Sequence, residues 1–143
     1  MQTLLSTLIL ATAFVSVSAS AQEGNAARAE CSGKGSHVEV RACLQTNADA
    51  SARKLRDAED KMRRSLAAWD QEPEYIKQST TAFESSVRQF SRFRAQHCEF
   101  IASLAAGGNG QSDLRLSCIY ELNEKRIAQI QQAQAFNLKT AVK

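Results

Sequence analysis

A single proline in 143 positions leaves little to interrupt helices, and a 6% share of aromatic residues implies a small core rich in Ala and Leu. Strand-like alternation is nearly absent as well, and both features favour an all-α fold. Charge is also scarce in the sense that matters. Lys and Arg number 18 against 15 Asp and Glu, a net +3, with the two signs interleaved as on solvated helix faces. That balance is far from a dedicated nucleic-acid binder. There is no C-x-x-C pair, and His37 and His97 do not stand at finger-type spacing, so no zinc site is expected. Gly107-Gly108-Asn109-Gly110 follows a helix pattern rather than a strand, and it reads as a tight turn instead of a phosphate loop. No nucleophile stands beside a base, and carboxylate pairs such as Glu72 with Glu74 or Glu121 with Glu124 read as solvated helix residues. The expectation is no enzyme and no cofactor.

What the chain does have begins with its first 21 residues. Positions 4–17 form an apolar run with small residues, and Ala19-Ser20-Ala21 before Gln22 fits the small-x-small rule of a cleaved secretory leader. The run is short for a bilayer span and is broken by Thr12 and Ser16, so no stable membrane anchor is expected after cleavage. Four cysteines in an exported chain imply two disulfides, for which three pairings are open. Cys31–Cys43 with Cys98–Cys118 is the most economical of them.

After the leader, residues 22–35 are expected to form a flexible segment, residues 36–136 a single helical domain, and residues 137–143 a fraying tail. Ser36 with Glu39 three places on reads as a capping box. A short helix from His37 to about residue 46 follows, and whether Asn47-Ala48-Asp49 interrupts it is open. A helix over 50–69 is expected to bury Ala52, Leu55, Met62, Leu66 and Trp69, with Glu59 as the polar exception on that stripe. Pro73 suits the first turn of a second long helix over 73–105. Its stripe is Phe83, Val87, Phe90, Arg94, His97, Ile101 and Leu104, widened by Phe93 and Phe100. After the glycine turn, Ser112 can cap a third helix whose inward residues are Leu116, Ile119, Leu122, Arg126, Ile130 and Ala133, with Ile127 beside them. The architecture is a small antiparallel bundle of three main helices, stapled by disulfides.

Two arginines fall on inward stripes. An arginine in such a place needs acceptors, because an unpaired buried charge costs several kcal/mol, on the order of 3–5. Glu59 is the preferred acceptor for Arg94, and Glu121 the second choice. Arg88, Arg92 and Arg94 among Phe90 and Phe93 could suit phosphate and base stacking, but a structural face is the better reading, and no nucleic-acid partner is expected.

Phe93-Arg94-x-x-x-Cys98, a Gly-Gly turn, then Cys118-x-x-x-Leu122-x-x-x-Arg126-x-x-x-Ile130 resembles the LprI-like lysozyme-inhibitor family. Phe90 stands where that family usually has Trp, Phe93 replaces Tyr, and Ala95 replaces Asp. The resemblance implies an exported bacterial protein, periplasmic or secreted, that occupies the cleft of a lysozyme or other cell-wall hydrolase. Phe90, Phe93, Arg94, Leu122 and Arg126 would be structural. Gly107, Gly108, Asn109, Gly110, Gln111 and Arg115 are the expected contact region, because a polar loop can enter a cleft that presents two carboxylates. The competing expectation is an envelope structural or assembly partner with no lysozyme target. Apolar surface exposed on the outer face of the helix over 73–105, away from the turn, would favour it.

Overall fold

A computed structural model describes residues 26–140; the expected leader lies outside them. The order is α1 (Ala26–Cys31), α2 (His37–Ala67), α3 (Pro73–Ser103) and α4 (Gly110–Thr140). The three long helices run up, down and up, so α2 and α4 lie parallel with α3 antiparallel to both. The all-α, disulfide-stapled bundle is as expected.

Each helix start has a local cause. The Glu39 amide donates to Ser36 Oγ at 3.3 Å, and Glu39 Oε2 accepts from the Ser36 amide at 2.8 Å, closing the capping box of α2. Pro73 opens α3, where its missing N–H costs nothing. At the far end of α3, Ala106 (φ +50°) and Gly107 (φ +83°) take the left-handed backbone that turns the chain. α4 begins at Gly110, two residues before the expected cap Ser112.

Several boundaries differ from the sequence expectation. α2 is one continuous helix of 31 residues, because Ala48 is buried and gives residues 47–49 a packing role. The segment over 22–35 contains α1, whose Ala27 and Cys31 are buried with Leu44 and packed by Val40, Leu116 and Tyr120. That apolar contact and the Cys31–Cys43 bridge fold a stretch that composition alone marks as loose. α4 extends to Thr140, so part of the expected tail is helical.

The interior has two apolar clusters. One is the α1 cluster just described. The other, toward the opposite end, joins Leu55, Ala58, Met62 and Leu66 of α2 to Ile127 and Ile130 of α4, with Phe83 and Phe90 of α3 against it. Burying each large aliphatic side chain contributes about 1.5–3 kcal/mol. The buried row of α2 is Leu44, Ala48, Ser51, Leu55, Ala58, Met62 and Leu66. It is displaced by one residue from the expected stripe at Ser51 and Ala58, while Ala52 and Glu59 are only half-buried. Small residues at the contact let two parallel helices approach closely. α3 is more weakly held, with only Cys98 and Ala102 fully buried.

Candidate partner-binding site at the hairpin end

The α3–α4 hairpin is built from the inside by the Cys98–Cys118 disulfide, whose Cα atoms lie 5.5 Å apart. Such a bridge stabilises by about 3 kcal/mol for a loop of this length. Both pairings are the sequence-local ones. One turn closer to the hairpin end, Arg115 donates to both carboxylate oxygens of Glu99, Nε at 2.9 Å and Nη2 at 3.0 Å. This fork holds the Glu99 carboxyl below its ordinary range and raises Arg115, first through the hydrogen bonds and then through charge.

A second clasp comes from the first turns of α2. Asp113, buried near the positive end of α4, accepts from Arg41 Nε at 3.4 Å and lies 3.0 Å from His37 Nε2. Arg41 also donates Nη2 to the Asn109 carbonyl at 2.9 Å. The exposed turn is therefore tied to α2, α3 and α4. Gly107, Gly108 and Asn109 are exposed, while Gly110, Gln111 and Arg115 are half-buried. Among the expected contact residues, Arg115 already has Glu99 as partner, and its guanidinium shapes the hairpin.

Below this end lies a polar layer between the apolar clusters. Arg94 donates Nη1 to Asn123 Oδ1 at 2.5 Å. Asn123 is fully buried and donates its amide to Ser51 Oγ at 2.9 Å; Ser51 in turn donates to the Ala48 carbonyl at 2.8 Å. One side chain from each long helix thus joins in a chain of hydrogen bonds. The acceptor of Arg94 is Asn123 rather than Glu59. A neutral amide can be fully buried at less cost than a carboxylate, which explains the difference. Glu59 still lies within the field of Arg63, Arg126 and Arg94, but burial outweighs them and pushes its carboxyl above the ordinary range.

Phe90 has two cations near it, with Arg94 Cζ 5.7 Å and Arg126 Cζ 5.5 Å from its ring centroid. Arg126 also donates Nη2 to Ser86 Oγ at 2.5 Å. Phe90, Arg94 and Arg126 are thus brought together, a contact the sequence did not indicate. Leu122 is half-buried instead, beside His97 and Ile101 in a cleft of 260 Å³ between α3 and α4. Phe93 is not in the core. It is 51% exposed and stacks on His97 at 5.2 Å, and Phe100 and Leu104 are exposed on the same face. The three widen the stripe beyond what α4 can cover.

Sequence reasoning missed Ser51, Asn123 and Arg41. Serine and asparagine in helix sequences ordinarily mark solvent faces, and nothing in their spacing set them apart. Among the described residues, no group of three His, Cys, Asp or Glu side chains could hold a metal ion, and no helix is long and apolar enough to cross a membrane.

The model of the lysozyme inhibitor LprI family matches residues 27–130, most of the chain. The chain belongs to the LprI family. The match begins at Ala27, the buried alanine of α1, and ends at Ile130, a buried residue of α4. It thus spans both disulfides and the polar layer, which are the parts that fix the LprI bundle. No curated protein and no solved structure matches the chain.

Proposed function

We propose that this LprI-family chain is an exported, non-enzymatic binding protein that blocks a cell-wall hydrolase by seating its hairpin end in the enzyme's glycan cleft. The observation that carries the reading is the exposed turn at Gly107, Gly108 and Asn109, held by Arg41, the Glu99–Arg115 fork and the Cys98–Cys118 bridge. A loop already held in its bound shape loses little freedom on binding. The side-chain amides of Asn109 and Gln111 suit a cleft that presents two carboxylates and sugar hydroxyls. Two disulfides support an oxidising compartment, periplasmic or secreted. The net charge of +3 gives no long-range attraction to cationic lysozymes, so affinity would come from contact rather than steering.

The test is clearing of a cell-wall suspension by lysozymes of each class with the protein in large molar excess. Slowed clearing by at least one class is expected, and it should be lost on replacing Asn109 and Gln111 together by Glu. Full activity of every class would overturn the inhibitor reading.

A second reading rests on Phe93 and Phe100, which expose apolar surface on the outer face of α3. It is an envelope assembly partner with no hydrolase target, and pull-down from envelope extract separates the two. A captured partner whose binding survives the Asn109/Gln111 change but not Phe93→Glu would favour it.

A further inference from the structure

The 260 Å³ cleft beside Leu122 lies where α1, α3 and α4 meet. Arg28 lines it from α1, His97 from α3, and Ser117, Glu121 and Lys125 from α4. Ile101, Leu114 and Leu122 give it an apolar wall. We propose that this cleft binds a small organic monocarboxylate, with the anionic end held by Arg28 and Ser117 and the apolar body against that wall.

Ser117 carries the inference. It is 3% exposed, and its hydroxyl has no hydrogen-bond partner among the described residues. A serine inside a helix can turn its hydroxyl back to a carbonyl of the preceding turn. Ser51 and Ser103 do so here, bonding the carbonyls of Ala48 and Phe100. Ser117 does not, although a buried hydroxyl left unbonded is costly. It lines the cleft, so an acceptor that enters there completes it. A carboxylate oxygen is the strongest acceptor of ordinary organic ligands for such a donor.

Arg28 supplies the charge. Its guanidinium makes no hydrogen bond or ion pair among the described residues. The Cys31–Cys43 bridge and the burial of Ala27 and Cys31 hold α1, and with it Arg28, at the cleft. The planar fork of an arginine matches a carboxylate. Arg28 and Lys125 against Glu121, with His97 counted as neutral, leave one net positive charge. That suits a monoanion better than a phosphate dianion. Size narrows the class further. Ligand clefts ordinarily run from about 300 Å³ upward, so 260 Å³ admits a molecule of about one ring and excludes a glycan chain.

Benzoate is the probe, with neutral benzamide and inorganic phosphate as controls, followed by amide chemical shifts of the oxidised protein at neutral pH. Benzoate should move the signals of His97, Ser117 and Cys118 saturably, and the two controls should not. Arg28→Gln should weaken benzoate binding roughly tenfold, the loss of one charge-assisted pair. Lys77→Gln removes the same charge from an exposed site at the far end of α3 and should bind like the parent. Ser117→Ala should weaken binding several-fold yet melt no lower than the parent, because it deletes a hydroxyl that the fold leaves unbonded. No saturable shift with benzoate, an equal response to benzamide or phosphate, or unchanged binding by Arg28→Gln would each overturn the proposal. So would a lower melting temperature of Ser117→Ala, which would show that the hydroxyl already has a partner within the fold. None of these measurements involves a hydrolase, so the inhibitor reading stands or falls apart from them.

Discussion

Arg94 of α3 and Asn123 of α4 are joined by a hydrogen bond of 2.5 Å, and Asn123 is fully buried. Its amide continues the connection to Ser51 of α2. An asparagine in this position ties three helices into one register, because a shift of any one would leave buried donors and acceptors unpaired. The two apolar clusters on either side could slide more freely. Leucine, alanine and methionine contacts tolerate displacement better than fixed hydrogen bonds do.

Removing one member should therefore cost more than the bond itself contributes. Asn123→Leu strands Arg94 and Ser51 and is expected to lower unfolding free energy by about 3 kcal/mol. Arg94→Met leaves only the Asn123 carbonyl without its donor and should cost about 1–2 kcal/mol. In the double variant the losses should not add, with a coupling of about 1–2 kcal/mol. Additive losses in denaturant titrations would mean that the two side chains do not act together.

The helices, the turn and the local disulfides were legible because each rests on a strong local signal. Pro73, the Ser36–Glu39 box and the glycine run fix chain direction, and cysteines in a helical chain pair most easily with near neighbours. The polar layer was not legible. Arg94 was visible as an inward arginine, but its partner required knowing which face of α4 meets it. The stripe expected on α4 ran through Leu122 and Arg126, whereas the fully buried positions include Asn123 and Ile127. α4 touches α2 on one side and α3 on another, and a helix with two partners has no single stripe. Ala133, on the expected stripe, is exposed for the same reason. In the turn, the expected contact residue Arg115 was legible as a cation, but its engagement by Glu99 was not.

Glu59 gives a pH prediction of unusual sign. Burial raises its pKa, and the nearby Arg63, Arg126 and Arg94 offset this only in part. The folded state then binds the proton more readily than the unfolded chain, so this group destabilises above its folded pKa and ceases to do so as pH falls through it. Glu84 and Glu99 act oppositely. Arg63 and Arg115 hold them below the ordinary 4.5, so their stabilisation is present above that value and is lost as pH falls through their folded pKa values. The melting temperature should rise slightly from neutral pH toward the ordinary glutamate range and decline below it. Glu59→Gln should abolish the rise and melt no lower than the parent at neutral pH. A clear drop there would show that the carboxylate is a net stabiliser of the three arginines.

Ala106 occupies the left-handed region with φ +50°. A side chain in that region costs about 1–2 kcal/mol. Replacement by glycine relieves this, but it also frees the unfolded chain by about 0.4–1 kcal/mol. Ala106→Gly should thus stabilise by up to about 1 kcal/mol. Gly107→Ala is the converse: a Cβ there meets nothing within 4 Å, so its expected cost of about 1 kcal/mol is conformational alone. Chemical denaturation of the two variants checks both signs together, and a stabilising Gly107→Ala would contradict the backbone account.

Asp113 links stability to the proposed contact region. Its carboxylate is buried, accepts from Arg41, lies beside His37, and stands in the first turn of α4 where the helix dipole favours negative charge. Asp113→Asn keeps the shape but removes the charge, and a cost of about 1–2 kcal/mol is expected from the weakened pairs and the lost dipole term. Arg41 is the shared element, because the same guanidinium holds the Asn109 carbonyl. With Asp113 neutral, that guanidinium has a weaker anchor and the turn should open more often. Amide exchange at Gly108 and Gln111, whose N–H groups donate to Ala105 and Gly108, should therefore accelerate by more than exchange at the middle of α4. If the turn amides and the α4 amides accelerate equally, Asp113 acts on global stability alone and the α2 clasp does not order the turn. If only the turn amides respond, and inhibition in the clearing assay weakens in parallel, a loop held in shape from α2 is what the target recognises.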